Sequence, residues 1–93
     1  MNFPFEQKSV GDRIIRRFDS NVDKRELTWH RDGMSRIVEV ITSDGWKLQL
    51  DNGLPKDLIS GEKYFIKKGI WHRILIGRGD LLISIQEVEG ENG

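Results

Sequence analysis

The chain has 93 residues and two histidines, each inside a Trp-His-Arg triplet: His30 in "TWHRDG" and His72 in "GIWHRIL", 42 positions apart. An imidazole can ligate a metal, carry a proton or bond within a core. Asp32 stands two residues after His30, and Arg36 follows four later. Little else in the chain offers chemistry. With no cysteine there is no thiolate to act as nucleophile or metal ligand, and no disulfide. No serine or threonine has an evident histidine and acid partner, and there is no glycine-rich phosphate loop. "RGD" at 78–80 reads as a turn flanked by Gly77. The two triplets are either two halves of one site or a chance pair of core and surface residues. Their flanking residues do not match, and no longer repeat is visible.

Composition narrows the setting. Ninety-three residues make one domain with a modest core. Lys plus Arg balance Asp plus Glu at 15 each, so the net charge is zero. That argues against a nucleic-acid binder, which carries a basic excess. No apolar run reaches membrane-spanning length. "MNFPFEQKSVGD" lacks the basic start and long apolar stretch of a signal peptide. These features lead us to expect a cytoplasmic protein with no membrane partner. A homodimer is expected as well, because small domains gain stability by association.

The elements that must position the histidines read as strands. Gly45, Gly53, Gly61, Gly69 and Gly77 recur every eight residues, the rhythm of short antiparallel strands in a sandwich or barrel. Between and around them lie 12–18, 26–31, 36–42, 46–51, 62–68, 71–76 and 81–88, about seven strands. "LPKDLISGE" (54–62) has room for one helical turn. Residues 1–10 are expected to form an arm, the barrel to span 11–88, and 89–93 to be a tail. Phe3, Phe5 and an outward tryptophan face are candidate dimer contacts.

Alternation along each strand gives the direction of the side chains. His72 shares a face with Ile74 and Ile76, which turns it inward, while Trp71 and Arg73 share the other face. Trp46 joins Leu48 and Leu50, so Gln49 faces away. His30 shares a face with Thr28 and Asp32, which is either solvated or the wall of a polar pocket. Arg16 and Arg17 in "IIRRF" read as a basic step on an edge strand, guarding it against further pairing.

The second half resembles a small single-domain cupin. In "GEKYFIKKGIWH", Gly61, Gly69 and His72 fall at the glycine, glycine and histidine of the family's second motif, with Lys67 in place of its proline. The motif's closing asparagine falls at Ile76. The first motif is half matched in "HRDGMSR": His30 stands at its first histidine, Asp32 replaces the second, and Arg36 occupies the glutamate position; Glu39 is out of register. The resemblance runs from Glu26 to Glu87.

It implies an all-β jelly-roll barrel in which His30, Asp32 and His72 converge. Two imidazoles and one carboxylate suit non-haem Fe(II), and in other geometries Zn, Mn or Ni. Arg36 would then orient a small anionic ligand in a pocket shared with His30 and His72. Arg36 also supports the opposite reading: a guanidinium repels a divalent ion and pairs readily with Asp32. In that case the pocket is metal-free and the cluster serves a non-catalytic binding or assembly module.

Overall fold

The computed structural model describes residues 5–24 and 27–88. The strands are β1 (Phe5–Val10), β2 (Arg13–Phe18), β3 (Ser35–Thr42), β4 (Lys47–Leu50), β5 (Lys56–Asp57), β6 (Lys63–Ile66), β7 (His72–Leu75) and β8 (Leu81–Val88). All pair antiparallel, in a five-stranded sheet of order β1-β2-β8-β3-β6 and a three-stranded sheet of order β5-β4-β7. No helix among the described residues is long and apolar enough to cross a membrane.

The inner faces of the two sheets supply one core. Val38, Val40, Ile83 and Ile85 come from the larger sheet, and Trp46 and Leu48 from around β4. Trp46 is fully buried, tilts against Phe18 at 5.9 Å and donates its indole N–H to the Gly79 carbonyl at 2.7 Å. Alternation on β4 thus holds: Leu48 is buried, while Gln49 faces away and accepts from Arg73 Nε at 2.9 Å. The "GRGD" turn is built on a close approach. A Cβ at Gly77 would lie 2.3 Å from the Asp44 carbonyl oxygen, so only glycine fits.

The structure differs from the sequence reading in four places. Residues 5–10, expected within an arm, form β1, paired with β2 from Phe5↔Phe18 to Val10↔Arg13. Its Glu6–Val10 stretch is exposed, so no core-facing alternation marks it as a strand. The second difference follows: β1 is the sheet edge and β2 lies inside, so Arg16 and Arg17 do not guard an edge. Third, Lys56 and Asp57 pair with β4 where a helical turn had room.

Fourth, within the expected strand 26–31 the described residues 27–31 form none; His30 makes a single bridge to His72. Turns consume the approach: Asn21 N–H bonds the Asp19 carboxylate, Val22 N–H the Asp19 carbonyl, and Leu27 N–H the Lys24 carbonyl. Beyond the bridge the chain leaves for β3 in the other sheet. Phe3, the first four residues, Arg25, Glu26 and the tail at 89–93 lie outside the described residues.

Candidate metal and ligand pocket

The question raised by the two triplets is answered by one pair of hydrogen bonds. His30 N–H donates to the His72 carbonyl at 2.9 Å, and His72 N–H donates to the His30 carbonyl at 2.8 Å. Residues that exchange both backbone bonds in an antiparallel pair sit directly opposite, with side chains on the same face. The two imidazoles meet edge to face, with ring centroids 4.3 Å apart. The flanking residues face the other way and stack reciprocally. Arg73 lies over Trp29 at 4.8 Å, and Arg31 lies over Trp71 at 5.0 Å. The triplets meet at one antiparallel bridge, histidines inside and Trp–Arg pairs outside.

Asp32, two residues on from His30, returns to the same side. Its backbone carbonyl accepts from Gly69 N–H at 3.0 Å, which ties it to the turn before β7. Gly69 holds that turn at φ 78°, a left-handed conformation that glycine adopts without strain. Lys68 N–H, one residue earlier, donates to Ser35 Oγ at 3.0 Å. Glycine and serine thus hold the turn where the family has a proline.

The result is a cluster of His30, Asp32 and His72, with one ligand atom from each within 4.8 Å of the others. His72 is 4% exposed and His30 lies at the open side. Both rings are oriented in the same manner: Nδ1 of His72 meets the Ile70 carbonyl at 2.9 Å, and Nδ1 of His30 meets the Thr28 carbonyl at 3.2 Å. A carbonyl oxygen only accepts, so each Nδ1 carries a proton, and a neutral ring so oriented offers its Nε2 lone pair. Burial holds the His72 pKa below the ordinary histidine value of 6.5; the hydrogen bond to the Ile70 carbonyl and the charge of the Asp32 carboxylate oppose it, and His30 and Arg36 add to it, with a net shift toward the neutral ring.

Neutral His72 creates a conflict. Its Nε2 lies 3.3 Å from Asp32 Oδ2, lone pair facing carboxylate, and Oδ2 is buried with no hydrogen-bond partner. A buried acceptor left unpaired costs about 1–3 kcal/mol. A cation shared by the two atoms removes that cost. Ligand atoms at about 2.1 Å from a metal are about 3.0–3.4 Å apart in octahedral or tetrahedral geometry, the range in which this pair lies. The His72–Asp32 pair thus has the spacing of two ligands of one ion, and with His30 forms a group that could hold a divalent metal.

Arg36 stands beside this cluster as expected, but its closer partner is a different residue. Its NH2 donates to Glu87 Oε2 at 2.9 Å, while NH1 is 3.5 Å from Asp32 Oδ2. Arg36 and Glu87 are directly opposed across β3 and β8. Asp32 Oδ2 is thus ion-paired with Arg36 but accepts no hydrogen bond from it.

The cluster opens into a cavity of about 380 Å³ between the sheets. Its walls are mainly Val38, Leu48, Leu58, Ile66, Ile74, Ile83 and Ile85, with His30, Asp32, Arg36 and His72 at the polar end. Arg16 also lines it, a residue that the sequence reading did not assign to the pocket. The signal was present in the alternation of β2: Ile14 and Phe18 pack on the core, so the residue between them points the same way.

No protein-family model matches the chain, and no curated protein is similar to it in sequence. Solved structures are similar to it in fold. A cupin domain, bp2299, from Bordetella pertussis Tohama I is 19% identical over 95% of this chain and 98% of its own, with a TM-score of 0.62. KdgF from Halomonas sp. is 16% identical over 94% of this chain and 82% of its own, at 0.71. FeII HppE is 10% identical over 82% of this chain and 41% of its own, at 0.62. The chain has a cupin fold, as the spacing of Gly61, Gly69 and His72 implies.

Proposed function

We propose that this small cupin-fold protein binds a divalent metal through His30, Asp32 and His72, and a small anionic molecule beside it. One observation carries the reading: Nε2 of buried His72 lies 3.3 Å from Asp32 Oδ2, and that oxygen has no hydrogen-bond partner. Two imidazoles and a carboxylate are a donor set used for Fe(II), with ligand positions left open, and one fold neighbour is described as FeII HppE. Mn, Ni and Zn suit the same donors. A metal held by these residues would supply Lewis-acid chemistry. The protein's own part is to keep both Nδ1 atoms protonated on backbone carbonyls, exclude water with the apolar walls, and present Arg36 to an anion.

Arg36 NH1 at 3.5 Å from Asp32 favours a second reading, a metal-free binding or assembly module in which the cluster is structural. Elemental analysis of protein purified without a histidine tag separates the two. About one divalent ion per chain, lost in His72→Ala, is the expected result. Metal-free protein whose His72→Ala variant is much less heat-stable supports the second reading.

A further inference from the structure

Arg16 is a charged residue in a core-facing position. It lies on β2 between Ile14 and Phe18, opposite Ile83 of β8, and lines the cavity. A guanidinium placed there needs a partner or a ligand. Its Nε donates to Gln7 Oε1 at 2.9 Å, and the Phe5 ring covers one face at 3.9 Å. Among the described residues no acidic side chain forms an ion pair with it. The nearest charges are Arg36, Asp32 and Glu87; burial and Arg36 together lower its pKa to about 10. Glu87 is already bonded to Arg36, and Asp32 faces His72. Arg36 Nε is itself buried with no partner. This end of the cavity therefore holds two guanidiniums, Arg16 without an ion pair among the described residues and Arg36 with its Nε unpartnered.

We propose that Arg16 and Arg36 are the anion-binding end of the cavity, and that its ligand is a small organic monocarboxylate with an apolar body. With Nε used by Gln7 and one face covered by Phe5, Arg16 has only its terminal N–H groups to offer. A planar carboxylate matches that fork with two parallel hydrogen bonds. A phosphate dianion would bring excess charge beside Asp32 and Glu87. The remainder of the ligand lies against Val38, Leu48, Ile66, Ile83 and Ile85. A volume of about 380 Å³ suits a small molecule. This deepens the anionic-ligand part of the proposed function and rests on it, but it does not require the metal.

The full chain, treated with EDTA and separately loaded with Mn²⁺, is titrated calorimetrically with hexanoate, benzoate, their uncharged amides and inorganic phosphate. The carboxylates are expected to bind one per chain, at least about tenfold tighter than the amides. Phosphate binds more weakly than either acid. Arg16→Met abolishes the preference for acid over amide, and Arg16→Lys retains part of it; the lysine variant keeps the test readable if the methionine variant does not fold. Amides that bind as well as acids, phosphate that binds best, or a preference that survives in Arg16→Met overturns the proposal. A carboxylate preference in protein that takes up no metal upholds this inference and overturns the metal site. Metal uptake with no preference does the reverse.

Discussion

His72 is where the chemistry of the site is decided, because its protonation state determines whether Nε2 has a lone pair to give. Its pKa is lowered from 6.5 by burial above all, against the opposing hydrogen bond to the Ile70 carbonyl and charge of the Asp32 carboxylate, with His30 and Arg36 adding to the lowering. As the pH falls below 6.5, the unfolded chain therefore takes up the His72 proton before the folded protein does. Stability of the metal-free protein is fully present above that value and is lost as the pH falls toward the lowered pKa. Thermal melts from pH 7.5 to 5 on EDTA-treated protein are expected to show this decline, and His72→Gln is expected to flatten it. An equal slope in the variant would show that His72 is not its source.

At the scale of elements, the site depends on a turn and a bridge rather than on long strands. Gly69, at φ 78°, lets its own N–H reach the Asp32 carbonyl, which sets the carboxylate opposite β7. Gly69→Ala is expected to cost about 1 kcal/mol in backbone strain and to weaken metal binding several-fold. Gly77→Ala forces a Cβ against the Asp44 carbonyl at the far turn. It should cost more, about 1–3 kcal/mol, yet leave metal affinity unchanged. Denaturant melts and metal titrations on both variants check the contrast. The glycine rhythm made most strands legible, and alternation placed His72 and Trp46 correctly. Two elements were not legible. β1 buries no alternating face, and without β1 the neighbouring β2 looks like an edge, which hides the inward aim of Arg16. The described residues before His30 pair with no strand, and the chain bridges β7 at His30 alone, its nearby hydrogen bonds going to turns.

Across the whole molecule, the cupin motif spacing identified the fold and brought His30, Asp32 and His72 together from opposite halves of the chain. Motif spacing could not show which partner Arg36 takes. That depends on its register with Glu87 on β8, a contact 51 residues away that no local pattern encodes. With Arg36 hydrogen-bonded to Glu87, the Asp32 oxygen keeps only an ion-pair contact with Arg36 at 3.5 Å and has no hydrogen bond. A metal that binds only the folded state must stabilise it, by about 2.7 kcal/mol at a hundredfold excess over Kd. For a domain of this size that is roughly ten degrees or more in Tm. The most direct measurement is therefore the melting temperature of EDTA-treated protein with and without Fe²⁺, Mn²⁺, Ni²⁺ or Zn²⁺, repeated on Asp32→Asn. At least one metal should raise the wild-type Tm by that amount and leave Asp32→Asn unmoved. No shift with any of the four, or the same shift in the variant, would contradict a metal centre at His30, Asp32 and His72.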